Sequence, residues 1–86
     1  MSIRYIGPGP RLSEATVANG FVFLSGMVPE NGSADATEQT RDVLAQIDHW
    51  LAQCRSDKNH LLEATIFLAD MADYDAMNRA WDEWVN

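Results

Sequence analysis

The chain has 86 residues, of which 47% are hydrophobic and 22% charged, and its formal net charge is −7. This length suits one small domain and excludes two separate cores, since domains commonly run to about 100–150 residues. The composition excludes intrinsic disorder, and the apolar runs fall well short of the about 20 residues that a membrane-spanning helix needs.

The charge is unevenly distributed along the chain. Residues 1–29 carry a net charge of +1, and the remainder carries −8. Because binding to a phosphate backbone depends on clustered Lys and Arg side chains, this distribution argues against nucleic acid and anionic membranes as partners. Cys54 is the single cysteine, and the start of the sequence lacks the apolar core of a signal peptide. We therefore expect a cytoplasmic protein.

The first third of the chain predicts antiparallel strands. Ile3 to Ile6 has the composition of a short strand, which the Gly7-Pro8-Gly9-Pro10 run is expected to end. Proline lacks an N–H donor, and glycine is conformationally permissive. The Asn19-Gly20 pair predicts a two-residue type I′ turn, in which both central residues need a positive φ, joining strands over 14–18 and 21–25.

The clearest predicted element is a first helix from about Ala36 to Cys54. Its apolar residues recur at spacings of one and three and form one stripe: Val43, Leu44, Ile47, Trp50, Leu51 and Cys54. Asp35, followed three residues later by Glu38, matches an N-terminal capping pattern.

The second half predicts a strand followed by a second helix. After a polar turn over 55–59, residues 64–68 form a continuous apolar run of the kind found in strands covered on both faces. A helix is expected from about Asp73, capped by Asp70 or Asp73. Its apolar stripe consists of Tyr74, Met77, Trp81, Trp84 and Val85.

The predicted order of elements is β-ββ-α-β-α, an α+β fold in one domain over residues 1–86. A helix that follows a buried strand normally leads back to another strand beside it. No further strand follows the second helix in this sequence. We therefore expect a domain that is incomplete at its C-terminus or is completed by a partner chain.

Local sequence gives no self-contained catalytic or metal-binding pattern. His49 and His60 lie 11 residues apart without further ligands at metal-binding spacing, so solvated or capping roles are expected. The aspartates at 70, 73 and 75 lack the glycine and the closing glutamate of a calcium loop. We expect neither a metal nor a cofactor.

The other reactive or aromatic residues also have structural explanations. Cys54 is expected to pack on the helix stripe. Ser25 lacks the Gly-x-Ser-x-Gly pattern of a nucleophile elbow, so a nucleophilic serine is not indicated. The tryptophans are expected in the core, with some facing a partner chain, because a domain this small has little interior: Trp50, Trp81 and Trp84.

Several segments in a specific order resemble the RidA (YjgF-like) family, and within it the YoaB-like subgroup. The resemblance runs from about residue 11 to the final residue. Its segments are Arg-Leu-Ser-Glu-Ala at 11–15, Phe-Val-Phe-Leu-Ser-Gly at 21–26, Glu-Gln-Thr at 38–40, Leu-Ala-Gln-Ile-Asp at 44–48, Ser-Asp-Lys at 56–58, Ala-Thr-Ile-Phe-Leu-Ala-Asp at 64–70 and Met-Asn-Arg-Ala-Trp-Asp-Glu-Trp-Val at 77–85.

The resemblance implies a chorismate-mutase-like fold, in which a sheet is backed by two helices, and a homotrimer with ligand clefts between subunits. It also implies an enzyme that hydrolyses reactive enamine or imine acids. Water adds to the C=N bond, ammonia leaves, and a 2-keto acid remains. The implied partners are a small carboxylate-bearing substrate and further copies of the chain, without nucleic acid or membrane.

Four residues match substrate-binding positions of the family: Ser25, Gly26, Tyr74 and Asn78. Leu12 stands where many members have an aromatic residue, and Arg55 stands where relatives often have a glycine that suits a positive φ after the first helix. The family's substrate-binding arginine, whose planar fork suits a carboxylate, lies in a Pro-x-Arg strand after helix two, with a glutamate further on.

Neither that arginine nor that glutamate is present before the sequence ends at Asn86. The fold is therefore expected to lack its final strands, and this chain is expected to be a weak or inactive catalyst with unknown catalytic residues. The alternative is a non-catalytic oligomeric module that binds a small carboxylate metabolite or a protein partner.

Overall fold

The computed structural model describes residues 2–85, and the two ends of the predicted domain, Met1 and Asn86, lie outside the described residues. The fold is α+β, with a three-stranded antiparallel sheet in the order β1-β2-β3. The strands are β1 (Ile3–Pro8), β2 (Ser13–Ala18) and β3 (Phe21–Leu24), and the helices are α1 (Ala36–Gln53) and α2 (Tyr74–Val85). Short 3₁₀ turns occupy Lys58–His60 and Met71–Asp73.

The predicted turn between β2 and β3 is confirmed. Asn19 has a φ of 53° and Gly20 a φ of 82°, as a type I′ turn requires. The turn pairs Ala18 with Phe21 and sets the register of the whole hairpin, so that Ala15 lies opposite Leu24.

The predicted end of β1 is wrong, because the strand continues through Gly7 and Pro8. Pro8 is paired with Ser13 at the edge of the sheet, where a missing N–H need not break the ladder. Gly7 has a φ of +61°, and a Cβ built on it would lie 2.8 Å from Cη2 of Trp50. Glycine therefore permits both this backbone conformation and the close approach of α1 to the strand.

Helix α1 ends within one residue of its predicted boundary and begins with the predicted cap. The Asp35 carboxylate accepts a hydrogen bond of 2.8 Å from the backbone N–H of Glu38. At the other end, the N–H of Ser56 donates to the Leu51 carbonyl (2.8 Å) and that of Arg55 to the Ala52 carbonyl (3.0 Å). This is a Schellman motif, and Arg55 has the positive φ of 60° that the motif normally gives to glycine.

The predicted strand over 64–68 does not form. Within the described part of the chain, residues 62–69 make no backbone hydrogen bonds and belong to no sheet. Leu62 is 83% exposed and Phe67 92% exposed. A strand exists only by pairing with a neighbour, and this segment pairs with none of β1, β2 or β3.

Helix α2 begins at Tyr74, one residue after its predicted start. Asp70 is the cap of the preceding 3₁₀ turn and accepts a hydrogen bond from the N–H of Ala72 at 2.9 Å. The helix packs against α1, where the Thr37 hydroxyl donates to the Ala76 carbonyl at 3.1 Å.

The core is small and lies between β2 and the two helices. Its buried residues are Ala15, Leu44, Leu51, Met77 and Ala80. The prediction that the tryptophans form the core is wrong: Trp50, Trp81 and Trp84 are half-buried, because a domain this small has little interior for large rings. Cys54 is also half-buried. Among the described residues, neither helix combines the length and the apolar character that a bilayer crossing requires.

Candidate functional site

Ser25 lies directly after β3 and is fixed by the hairpin. Its backbone N–H donates to the Glu14 carbonyl at 3.0 Å, which extends the β2–β3 ladder by one pair. Its hydroxyl lies 3.3 Å from Oε2 of Glu14, and both side chains are half-buried. Because a carboxylate only accepts hydrogen bonds, the hydroxyl of Ser25 is the donor in this pair.

Gly26, the next candidate, directly follows Ser25 and is exposed. A Cβ built at this position would meet nothing within 4 Å. The described residues therefore leave open space beside Gly26, and the packing of this chain does not by itself require a glycine there.

Tyr74 and Asn78 lie one turn apart at the start of α2. Residues four apart share one face of a helix, so the structure brings these two candidates together. Tyr74 is half exposed and Asn78 half-buried, and within residues 2–85 neither side chain makes a hydrogen bond. The structure forms two pairs, Ser25 with Gly26 and Tyr74 with Asn78, and no hydrogen bond joins one pair to the other.

A cleft of 460 Å³ opens between α1 and the strand end that carries Glu14. Its polar and aromatic lining consists of Glu14, Glu30, Asp42, Gln46, His49 and Trp50. The side-chain amide of Gln46 and the backbone N–H of Glu30 donate to Asp42 and hold the pKa of its carboxyl below the ordinary value. No Lys or Arg lines this cleft, so its lining is acidic.

The interpretation of single residues missed this acidic cleft, although two signals for it are present. A two-residue turn at Asn19-Gly20 places Glu14 opposite Ser25 by register alone. Asp42, Gln46 and His49 are spaced four and three apart, which puts them on one face of α1.

A second cleft, of 310 Å³, lies between α1 and α2, and its charged side chains have partners within the described chain. Arg41 binds Glu83 and Glu38, and these two carboxylates raise the pKa of its guanidinium. The Lys58 ammonium donates to the Trp84 carbonyl, and the Trp84 indole N–H donates to Asp48 at 2.9 Å. These contacts hold the two helices together.

The two histidines lie apart, His49 in the lining of the acidic cleft and His60 in the first 3₁₀ turn. The ring of His49 packs edge-on against Trp50 with 4.7 Å between centroids. His60 lies 3.1 Å from Asp57 across the 3₁₀ turn. Across residues 2–85, no three His, Cys, Asp or Glu side chains converge in a way that would hold a metal ion.

Sequence comparisons place this chain among known proteins. The family model described as Endoribonuclease L-PSP matches residues 3–86. A RutC family protein of Haemophilus ducreyi is 52% identical over 87% of this chain, which spans only 64% of that relative's length. RutC family protein YoaB of Escherichia coli strain K12 is 49% identical over 99% of this chain and 74% of the relative.

A more distant relative and a solved structure extend the comparison. Reactive Intermediate Deaminase A, chloroplastic, of Arabidopsis thaliana is 35% identical over 84% of this chain and 42% of the relative. A crystal structure of a YjgF family member from Neisseria meningitidis has a TM-score of 0.95 and 65% identity, covering 100% of this chain and 71% of that chain. The α+β fold is therefore that of the YjgF proteins, as the resemblance implied. The chain belongs to the Endoribonuclease L-PSP family, in which its RutC, YoaB and YjgF relatives confirm the predicted RidA-like identity.

Proposed function

We propose that this protein hydrolyses reactive 2-imino acids to 2-keto acids and ammonia. The observation that carries the proposal is its similarity, over 84% of the chain, to a relative named Reactive Intermediate Deaminase A. In this reaction the oxygen of water bonds to the carbon of the C=N group, and the nitrogen leaves as ammonia. The site requires groups that orient the imine and place the water, and it requires no redox chemistry.

The proposed substrate-binding residues are Ser25, Gly26, Tyr74 and Asn78. Ser25 offers a hydroxyl at a strand end held by backbone hydrogen bonding, and Gly26 leaves open space beside it. Tyr74 and Asn78 offer an aromatic ring and an amide that have no hydrogen-bond partner within the described chain. Because the RidA resemblance implies ligand clefts between subunits, we propose that the two pairs meet in an assembly of several copies.

The proposed activity of the 86-residue chain is weak, because a 2-imino acid carries a carboxylate that needs a cation. The acidic cleft beside Ser25 contains no Lys or Arg among the described residues. Arg41 and Lys58 lie in the other cleft, where their partners are Glu83, Glu38 and the Trp84 carbonyl.

Assembly into a homotrimer is supported by an exposed apolar face of the sheet. Ala18 is paired with both Ile3 and Phe21, and Thr16 is paired with both Tyr5 and Phe23. Directly paired residues point to the same side of a sheet, so the four apolar side chains share one face. They are between 49% and 61% exposed, and contiguous apolar patches of this kind mark interaction surfaces.

The activity is tested by coupling the protein to a dehydratase that releases 2-iminobutyrate and measuring ammonia release. We expect a small acceleration by the 86-residue chain and a larger one by Reactive Intermediate Deaminase A of Arabidopsis thaliana as positive control. Ser25→Ala should lower the acceleration about tenfold, since it removes a hydrogen bond to a charged or polar substrate group. Ser56→Ala is the matched control and should leave it unchanged. No acceleration at any protein concentration, with an active control, would refute the proposal.

A second candidate function is a non-catalytic oligomeric module for a metabolite or a protein partner. The exposed sheet face and the exposed segment 62–67 favour it, because both offer uncovered apolar surface. Thermal melts distinguish the two functions: a 2-keto acid that raises the melting temperature without any turnover supports the binding module. Cleavage of RNA is disfavoured by the net charge of −7.

A further inference from the structure

We propose that Glu14 is a positioning residue that fixes the direction of the hydrogen bonds made by Ser25. Its carboxylate accepts the one hydrogen bond that the Ser25 hydroxyl can donate, so the serine oxygen accepts hydrogen bonds from a ligand and donates none to it. The end of β3 then binds the N–H group of an imino or ammonium nitrogen and repels the substrate carboxylate. This inference rests on the proposed function and adds to it the orientation of the substrate.

The backbone places the two side chains against each other. Glu14 and Ser25 are directly opposite across the β2–β3 ladder, joined by a backbone hydrogen bond of 3.0 Å. Opposed residues of an antiparallel pair hold their Cβ atoms about 5 Å apart on one face, within reach of a glutamate and a serine. The observed separation of Oγ from Oε2 is 3.3 Å.

The stem of Glu14 is held from a second direction. A Cβ built at Gly7 would lie 3.1 Å from Cγ of Glu14 and closer still to the ring of Trp50. The Gly7 backbone and the strand ladder therefore lie against the glutamate stem, which limits its rotamers. Within the described residues, the Ser25 hydroxyl is the only group that donates a hydrogen bond to the Glu14 carboxylate.

The direction of the hydrogen bond follows from the chemistry of the two groups. An ionised carboxylate has no proton to give, whereas a serine hydroxyl has one proton and two lone pairs. Once that proton points at Glu14, both the serine oxygen and the free carboxylate oxygen present only lone pairs to a ligand. An imine or ammonium nitrogen supplies N–H groups to them, and a substrate carboxylate supplies none.

The charges around the pair favour the same orientation. Glu14 lines the acidic cleft together with Glu30 and Asp42, and no cation lies there in the described residues. A protonated imine is attracted by this field and a carboxylate is repelled by it. The protonated imine is also the form that water attacks more readily, because the C–N electron pair moves onto a positively charged nitrogen.

The test compares the binding of two stable probes to the 86-residue chain by calorimetry. The probes are 2-aminobutyrate, which has an ammonium group, and 2-oxobutyrate, which has a keto oxygen in its place. We expect the protein to favour 2-aminobutyrate. Glu14→Gln keeps the shape but removes the charge, and its amide can donate to Ser25. It should reduce the ratio of the two affinities about tenfold, since hydrogen bonds to charged groups are the stronger class.

Two further variants separate positioning from a general loss of structure. Ser25→Ala should also lower the affinity ratio, and its effect should not add to that of Glu14→Gln in the double variant, because the two residues act as one unit. Glu63→Gln, the same change of charge in the exposed segment, should leave the ratio unaltered. If Glu14→Gln fails to fold, it will lose its cooperative thermal transition. The affinity ratio of Ser25→Ala, compared with that of the unmodified chain, then tests the proposal.

The outcomes distinguish this inference from the proposed function. If the unmodified chain binds the probes and Glu14→Gln preserves the affinity ratio, the positioning role is overturned and the proposed function stands. The same holds if the effects of Glu14→Gln and Ser25→Ala simply add. If neither probe binds to the unmodified chain or to Glu63→Gln, the substrate site itself is refuted, and the inference falls with it.

Discussion

Residues 3–53 and residues 61–69 are both rich in apolar side chains, yet only the first region is packed. The first forms three paired strands and α1, and it contributes Ala15, Leu44 and Leu51 to the core. The second contains Leu62 and Phe67, the two most exposed large apolar side chains of the described chain. The contrast shows that apolar composition alone does not determine where a chain packs.

The difference lies in how each kind of element satisfies its backbone. A helix makes its hydrogen bonds within its own segment, so α2 forms next to the exposed segment and needs only one neighbour, α1. A strand requires a partner for every N–H and C=O group that it buries. Residues 62–69 have no such partner among the described residues, and the side chains of residues 62–67 are exposed.

The largest expected effect comes from truncating one side chain in each region. Leu51→Ala removes a side chain that is 6% exposed, and it should lower the free energy of unfolding by about 3 kcal/mol through lost burial and the remaining cavity. Phe67→Ala removes one that is 92% exposed, and it should change the free energy by less than about 0.5 kcal/mol. Urea denaturation at one fixed protein concentration measures both.

The contrast between the two regions would be contradicted if Leu51→Ala and Phe67→Ala lowered the free energy of unfolding by similar amounts. A large loss for Phe67→Ala would mean that residues 61–69 are covered in solution by another copy. In that case the loss should shrink as the protein is diluted, since stability gained through association depends on concentration.

The next largest effect concerns the contact of α1 with the sheet. Gly7→Ala places a methyl group 2.8 Å from the Trp50 ring at a φ of +61°, and it should destabilise the protein by about 2 kcal/mol. Gly20→Ala is the matched control, because Gly20 also has a positive φ, of +82°, and a Cβ there meets nothing within 4 Å. Equal losses of stability for the two variants in thermal melts would show that the positive φ alone accounts for the effect and that the Trp50 ring does not contribute to it.

The local signals of the sequence were sufficient for the hairpin and α1. Asn19-Gly20 predicts the turn because few residue pairs accept two successive positive φ values, and Asp35 predicts the first turn of α1 because its carboxylate fits the free N–H groups. The path of β1 through Pro8 was missed, because proline is compatible with a strand only at an edge. Whether a strand lies at an edge depends on the order of strands in the sheet, and local sequence does not determine that order.

The candidate site was predictable to a lesser extent. The pairing of Glu14 with Ser25 follows from the turn register, and Tyr74 and Asn78 follow from helical spacing. The acidic cleft depends on the approach of α1 to the end of β2, which is a tertiary contact. No local pattern specifies that approach.

The smallest predicted effect is a gain in stability at the end of α1, where the well-packed region passes into the chain that leads to the exposed segment. Arg55 has a φ of 60°, a conformation that strains any residue with a Cβ. Arg55→Gly should therefore raise the free energy of unfolding by about 0.7 kcal/mol, since relief of the strain exceeds the extra entropy of an unfolded glycine. Arg55→Ala keeps the Cβ and should gain nothing, so a gain in both variants would trace to the lost charge. Urea denaturation of the two variants side by side makes this distinction, because the Schellman hydrogen bonds from Arg55 and Ser56 are backbone bonds that either substitution preserves.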